Sequence, residues 1–241
     1  MIFKEKPQFK SLWEGNLLLN NIEWIRSPSL EYLLPKNYDI SIKEFWKNHL
    51  KEFPNDYDGK LLFLFDFYFK DEILYLEVGI IQFSTVIYMV SNKIKPVSGI
   101  GMLGVQCIIL SPDNKYILVG NRSNKNIYYP RYMTIPGGML ENHDLNRNPK
   151  EALLREIYEE VGISLCKDIF LISILKGWNE VSVTFLLRAK VKKNNDFSPD
   201  KTILAEKDEW ENNLNWMSLK KLKKLSNKQL LDGLIYYQSK L

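Results

Sequence analysis

Cysteine and histidine are scarce in this chain of 241 residues, which contains two of each. Cys107 and Cys166 lie in apolar stretches and have no Cys or His partner at the spacing of a zinc site, so we expect buried, reduced thiols. His49 and His143 are not at ligand spacing either, although His143 is near the acidic motif described below. A zinc site and a histidine-centred metal site are therefore not expected.

Long hydrophobic runs and a strong charge bias are also missing. No segment approaches the ~20 apolar residues of a membrane span, and the N-terminal sequence MIFKEKPQFK has no apolar run of the signal-peptide type. The net charge of +4 is too small to indicate nucleic acid. A lysine run at residues 220–224 is expected to be a solvated helix face, with an RNA surface as the minor alternative. We therefore expect a cytoplasmic protein without a membrane partner.

The chain is expected to have an α+β fold in two parts. The segment SNKIKPVS at residues 91–98 resembles a linker, which predicts an N-terminal α+β domain (1–95) and a second domain (96–241). In the first part, the patterns predict strands at 16–25, 61–69 and 73–83 and a helix at 41–52. In the second, they predict strands at 99–110, 116–121, 169–176 and 181–192 and helices at 149–161, 219–222 and 228–237.

The helix at 149–161 carries an unusual cluster of acids. Asn148 is a suitable cap and Gly162 a suitable stop. At ~100° per residue, Glu156, Glu159 and Glu160 share one arc, where like charges repel each other. A solvated acidic face is the commoner explanation, but these acids lie in the last turns, where the helix dipole disfavours them. A divalent cation would offset the repulsion, and the preceding Pro-Gly-Gly turn at 136–138 allows a close backbone approach.

The segment from Gly138 to Ile163 resembles the Nudix box. That pattern is Gly, five residues, Glu, seven residues, and then Arg-Glu-apolar-x-Glu-Glu-x-Gly-apolar. The second part, REIYEEVGI, matches at every defined position. Asp144 stands where the pattern has its first Glu, and ten residues instead of seven separate it from Arg155, which indicates a three-residue insertion around 144–148. The resemblance covers about residues 98–225.

This resemblance implies an α/β/α sandwich with a mixed sheet between helices and a cofactor of Mg²⁺ or Mn²⁺. Carried over by position, Glu156, Glu159 and Glu160 would bind the metal, with Glu156 and Glu160 as the primary pair. The backbone carbonyl of Gly138 would be a further ligand. Arg155 would hold the carboxylates in place without touching the substrate.

Residues outside the box are harder to assign. The general base would be a loop acid, as in many relatives, or a box glutamate, as in others. Among the loop acids we favour Glu209 over Glu206 and Glu211, although each could equally be a solvated acid. Phosphates would be bound by Arg122 and Arg131, which could instead be ordinary surface arginines. A base could stack on Trp178, Tyr128 or Tyr129, but aromatic residues beside strands usually belong to the core.

The expected function is metal-dependent hydrolysis of a diphosphate linkage in a nucleoside diphosphate joined to another group. ADP-ribose, a nucleotide sugar, a dinucleotide and a coenzyme are examples. Decapping of mRNA is the alternative enzyme, and a nucleotide-sensing module without turnover is disfavoured because the box glutamates are present. The N-terminal part is expected to influence substrate choice without supplying metal ligands, and the alternative is a stabilising appendage that does not contact the ligand. Its apolar stretch at 61–90 must be buried within that part, against the catalytic part, or in a homodimer.

Overall fold

The computed structural model describes residues 9–124, 129–177, 180–192, 197–200, 202–203, 210–211 and 213–241, except for the side chain of Gln229. The strands in this part of the chain are β1 (Lys10–Leu18), β2 (Ile22–Glu31), β3 (Lys60–Lys70), β4 (Ile73–Gln82), β5 (Gly101–Leu110), β6 (Tyr116–Asn121), β7 (Met133–Thr134), β8 (Gly137–Met139), β9 (Phe170–Gly177), β10 (Ser182–Lys190) and β11 (Asn215–Ser218). The helices are α1 (Asp39–Glu52), α2 (Phe83–Ser91), α3 (Pro149–Val161), α4 (Leu219–Leu222) and α5 (Asp232–Ser239). The α+β class expected from the sequence is confirmed.

Most predicted elements are confirmed, and two need correction. The strand expected at 16–25 is two strands, because a 3-10 helix at Leu19–Asn21 interrupts it and turns Leu19 and Ile22 into the core. The helix expected at 228–237 begins later, at Asp232. A short 3-10 helix occupies Asn227–Gln229, and the backbone then extends through Leu230. Helix α2, just before the predicted linker, was not expected from the sequence.

Strands from both sides of the predicted boundary at 95/96 belong to one mixed sheet. Its main order is β1-β9-β10-β5-β3-β4-β2. Strand β1 of the N-terminal part pairs with β9 of the second part at the edge of the sheet. Strand β3, also from the N-terminal part, pairs with β5 of the second part through Phe63↔Met102 and Leu64↔Gly101. The division into two domains therefore stays a prediction, while the sheet itself is continuous.

The sheet curls because its two outermost strands are consecutive in the chain. Only the three residues Leu19–Asn21 connect β1 at one end of the strand order to β2 at the other. The two edges must therefore approach each other at this connection. Helix α3 contacts the connection as well as β2, β5 and β8, so it lies where the curled sheet brings these segments together.

Helix α3 follows directly from its sequence. Asn148 Oδ1 accepts a hydrogen bond of 2.9 Å from the backbone N–H of Glu151, and Pro149 occupies the first turn. Gly162 ends the helix with a left-handed φ of 59°, which glycine adopts without strain. The apolar stripe of the helix is buried against the sheet, at Leu153, Leu154, Ile157 and Val161.

Most of the apolar stretch of the N-terminal part is buried inside this chain, but Tyr68 and Phe69 at the end of β3 are exposed. Leu62, Phe63, Leu64 and Leu74 have no exposed surface. Leu62, Leu64 and Leu74 belong to the same apolar cluster as Leu103 and Leu153. The core is therefore shared across the predicted boundary. A homodimer is not needed to cover these side chains and stays a prediction.

Two further sequence expectations concern the thiols and the membrane. Cys107 is buried and Cys166 is partly buried, and both are free thiols. Burial raises the pKa of the Cys107 thiol, which keeps it protonated and unreactive. Within the described ranges, no helix is long and apolar enough to cross a membrane.

Candidate active site

A cavity of about 390 Å³ opens beside β5, β8 and β10, next to the start of α5. The segment that leads from α1 into β3 forms another part of its wall. The described lining residues are Asp56, Tyr57, Gly59, Leu61, Phe83, Met102, Gly104, Val105, Gln106, Arg122, Tyr129, Gly137, Gly138, Met139, Glu141, Glu156, Ser182, Val183, Thr184, Leu231 and Asp232. The cavity therefore draws on both parts of the chain.

Glu156 reaches this cavity from α3 and lies against Gly138. A Cβ added at Gly138 would overlap the Glu156 carboxylate, so a side chain at this position would separate the turn from the helix. Burial raises the pKa of Glu156 to about 7, against the opposing effect of Arg155, and the nearby Glu159 raises it further. Arg155 Nη2 is 2.5 Å from Glu156 Oε1, but this ion pair offsets only part of the cost of burying the carboxylate, and a divalent cation would offset more of it.

Glu160 lies four residues after Glu156 on α3 and contacts the same Gly137-Gly138 segment. Its side chain is buried, with 8% of the residue exposed, and its Oε2 accepts a 2.7 Å hydrogen bond from the backbone N–H of Gly137. Both carboxylates of the expected primary pair therefore touch the Gly137-Gly138 turn. Their role as the primary metal ligands stays a prediction.

Arg155 links the helix to the inserted loop. Its guanidinium donates two hydrogen bonds to Asp144, at 2.9 Å from Nε and 2.7 Å from Nη2, and one of 2.8 Å from Nη1 to Glu159. Asp144 is fully buried and also accepts a bond from the backbone N–H of Glu141. The insertion therefore leaves the acid that replaces the first box glutamate in contact with the box arginine. The hydrogen bonds from Arg155 to Asp144, together with the charges of Glu156 and Asp144, raise the pKa of Arg155. Burial of the guanidinium acts in the opposite direction.

Glu159 is more exposed than the other two acids. Its side chain is 59% exposed and is held by Arg155. Among the residues that the structure describes, no three His, Cys, Asp or Glu side chains are arranged to hold a metal ion. Mg²⁺ does not need such a set, because it is usually bound by one or two carboxylates with water and substrate phosphates completing the shell. The close approach of Glu156 to Gly138 fits that smaller set of protein ligands.

Only some of the other predicted site residues line the cavity. Arg122 lines the cavity, whereas Arg131 is not among the described lining residues and is 3.6 Å from Glu211 Oε1. Tyr129 also lines the cavity and is buried. Four residues considered above lie outside the described residues: Glu206, Glu209, Tyr128 and Trp178. The assigned roles stay predictions for all of them.

Several lining residues were not found from the sequence. Glu141 falls within the variable part of the box, where the pattern sets no residue type. Asp232 lies at the start of α5, a position where an acid is usually explained by the helix dipole. In the described structure its Oδ1 is buried without a hydrogen-bond partner, and burial raises its pKa to about 6. Tyr57 lies in a loop far from the box, and no local signal connects the two.

His49 and His143 have ordinary surroundings. The His49 side chain is buried among Phe45, Trp46 and Phe53, and its Nε2 is 2.7 Å from Asp56 Oδ2. His143 is half exposed, with Nδ1 3.3 Å from Glu141 Oε2. Neither histidine lines the cavity as described.

Solved structures with a similar arrangement include the Nudix domain of NrtR from Shewanella oneidensis in complex with ADP ribose. The two chains are 16% identical, with 58% of this chain and 86% of that one covered and a TM-score of 0.43. A Nudix family hydrolase from Clostridium perfringens is 19% identical (57% and 94% covered, TM-score 0.39). The MutT protein from Methanosarcina mazei Go1 is 16% identical (57% and 88% covered, TM-score 0.38).

Comparison with sequences gives a broader result. No curated protein matches this chain. The model of the NUDIX domain matches residues 102–236, which is more than half of the chain and includes β5 through most of α5. The matched region contains the Gly137-Gly138 turn, the inserted loop and the acidic helix α3. The chain therefore belongs to the Nudix family.

Proposed function

We propose that this protein hydrolyses a diphosphate linkage in a nucleoside diphosphate joined to another group, with Mg²⁺ or Mn²⁺ as its cofactor. The observation that carries the proposal is the approach of Glu156 and Glu160 to the Gly137-Gly138 turn at the wall of a cavity. Family membership supports pyrophosphohydrolase chemistry in general. The nature of the substrate and the metal dependence are inferred from the site.

The charge of the cavity supports a cation requirement. Four acidic residues line it (Asp56, Glu141, Glu156 and Asp232), whereas Arg122 is the one cationic residue in the described lining. A diphosphate group is itself strongly negative, so it would be repelled by this lining in the absence of other charges. Glu156 and Glu160 would hold a divalent cation, whose charge would offset that repulsion.

We assign the roles as the family resemblance implies. Glu156 and Glu160 are the primary metal ligands, joined by Glu159 and the Gly138 carbonyl, and Arg155 is a positioning residue. When bound, the metal neutralises charge on the diphosphate and lowers the pKa of the attacking water. Glu209 is proposed as the general base. Arg122 and Arg131 are proposed to bind phosphates, and Trp178 to contact the base.

A substrate panel tests this proposal. The purified protein is incubated with ADP-ribose, a nucleotide sugar, a dinucleotide, coenzyme A and p-nitrophenyl phosphate, with Mg²⁺, with Mn²⁺ and with chelator. We expect cleavage of diphosphates only, dependence on metal, and incorporation of one labelled oxygen from water into one phosphate product. Hydrolysis of the phosphomonoester without any cleavage of diphosphates would contradict the proposal.

A matched pair of variants makes the panel specific to the site. Glu156→Gln removes the proposed ligand, and Glu151→Gln removes an exposed acid from the first turn of the same helix. We expect Glu156→Gln to lower kcat by several orders of magnitude and Glu151→Gln to leave it within about twofold. Glu160→Gln should behave like Glu156→Gln. Full activity in both Glu156→Gln and Glu160→Gln would rule out the metal assignment.

Decapping of mRNA is the second candidate because of one surface feature. Lys220, Lys221, Lys223 and Lys224 are all exposed at and beyond α4. Capped RNA is therefore included in the panel at low and high salt, because contacts with phosphates weaken as salt rises. Ligand binding without turnover would instead favour the sensing module. The cytoplasmic location also stays a prediction.

A further inference from the structure

The loop between α1 and β3, residues 53–59, is firmly anchored although it lies between two elements. Asp56 Oδ2 is 2.7 Å from the buried His49 Nε2. Asp58 accepts two hydrogen bonds from Ser84, 2.7 Å from its backbone N–H and 2.8 Å from its hydroxyl. The Gly59 carbonyl accepts a further bond of 2.9 Å from the backbone N–H of Phe83. This loop is therefore fixed to both α1 and α2.

This anchored loop presents Tyr57 at the cavity. Tyr57 is 66% exposed, lines the cavity and packs over Gly59, where an added Cβ would lie 2.8 Å from Tyr57 Cε2. Its hydroxyl is 3.4 Å from Glu141 Oε1, which belongs to the box loop on the other part of the chain. One side of the ring is thus supported by the backbone, while much of its surface remains accessible.

The lining next to this ring is mixed. Asp56 precedes Tyr57 in the chain and lines the cavity, and Phe83 donates its backbone N–H to the Gly59 carbonyl. Leu61 pairs with Glu141 in an isolated β-bridge, while Glu156 lies against Gly138. A ligand whose diphosphate lies at Glu156 would place its next group against a wall that includes the exposed Tyr57 ring and the apolar Leu61 and Phe83. A flat aromatic group suits such a wall, because stacking on a tyrosine is favourable for every base.

We infer that Tyr57 forms a stacking surface for the nucleobase of the substrate, in addition to the base contact proposed for Trp178, so that the N-terminal part contributes to the base subsite of this enzyme. This inference rests on the proposed function, since a nucleotide substrate is assumed. Tyr57 is well suited to the role because a tyrosine provides a large contact area with few rotatable bonds. The loop's anchors have already fixed its backbone, which reduces the entropy lost on binding.

Calorimetry with two probes tests the subsite separately from catalysis. ADP carries a base and a diphosphate, and inorganic pyrophosphate carries the diphosphate alone. Both are titrated in Mg²⁺ into the full chain and into Tyr57→Ala. We expect the Kd for ADP to rise about tenfold, which corresponds to ~1.4 kcal/mol. The Kd for pyrophosphate should change by less than about twofold.

Two further variants separate stacking from other effects. Tyr57→Phe keeps the ring and removes the hydroxyl near Glu141, so we expect an ADP affinity within about twofold of the original. Tyr68→Ala is the matched control, because Tyr68 is 47% exposed and stacks on Tyr75 with ring centroids 5.3 Å apart. Tyr68 is not part of the described cavity lining, and its removal should change neither affinity. Thermal melting confirms that each variant is folded.

The possible outcomes decide the inference. Equal losses for ADP and pyrophosphate would show that Tyr57 acts through Glu141 and not by stacking, and would overturn it. Unchanged ADP binding in Tyr57→Ala would also overturn it. If the substrate panel shows no hydrolysis while Tyr57→Ala still weakens ADP selectively, the proposed function fails and the base subsite stands. If hydrolysis is found but Tyr57→Ala leaves ADP binding unchanged, the base subsite fails and the proposed function stands.

Discussion

Glu156 is a residue whose charge state connects stability with function. Its pKa of about 7 in the folded chain lies above its ordinary value of 4.5, mainly because the side chain is buried. The folded state therefore favours the protonated form. The resulting destabilisation is absent below pH 4.5, grows as the pH rises, and is complete above about pH 7.

Glu156→Gln should consequently stabilise the metal-free protein in alkaline buffer. We expect a gain of about 1–2 kcal/mol at pH 8 that vanishes near pH 4, since one unit of pKa shift corresponds to ~1.4 kcal/mol and partial exposure reduces the effect. Urea unfolding in chelator at several pH values measures it. Glu151→Gln should give no such gain, because Glu151 is exposed near the favourable end of the helix dipole. A gain that is the same at pH 4 and pH 8 would contradict this explanation.

At the scale of elements, a buried ion pair joins the inserted loop to α3. Asp144 has no exposed surface and binds Arg155 through two hydrogen bonds. Breaking a buried pair by changing one partner is costly, because the other charge is left without compensation. The loop residues around Asp144 and the position of Glu159 both depend on Arg155.

Arg155→Lys should therefore be destabilising by about 1–2 kcal/mol, because a lysine keeps the charge but cannot make the two-pronged contact. Arg147→Lys is the matched control. Arg147 is half exposed, and its Nε is 3.8 Å from the same carboxylate, so we expect an effect below about 0.5 kcal/mol. Denaturant unfolding of both variants beside the original chain makes the comparison. Similar losses of stability in Arg155→Lys and Arg147→Lys would show that Arg155 is no more important than Arg147 for compensating the buried Asp144 charge.

The sequence predicts the elements near the box better than the connections between them. The bounds of α3 are set by local signals, namely the cap at Asn148 and the stop at Gly162, and both were found correctly. The interruption of the first predicted strand at Leu19–Asn21 was missed because the burial of Leu19 and Ile22 comes from distant partners. The same reason explains why Tyr57 and Asp232 were not recognised, since only the folded chain brings them to the cavity that Gly138 also lines.

At the scale of the whole molecule, the shared core should make the chain unfold as one unit. Leu62 and Leu74 from the N-terminal part pack in one cluster with Leu103 and Leu153. We expect a fragment that starts near Lys95 to aggregate or remain unfolded. Without β1 and β3, the edges of β9 and β5 and their apolar surface would be exposed. The full chain should show coincident unfolding transitions by tryptophan fluorescence and circular dichroism. A soluble, folded fragment or two separate transitions would contradict this prediction.

The pairing of the first strand with β9 also has a consequence for the way the chain reaches its native state. The hydroxyl of Ser173 donates to the carbonyl of Trp13 across a separation of 160 residues. During synthesis, β1 must wait for most of the polypeptide before its neighbour exists, and such distant pairings are slow to form. The newly made N-terminal strands stay without their final partners over that interval, when the exposed edges are open to chaperones and to other chains.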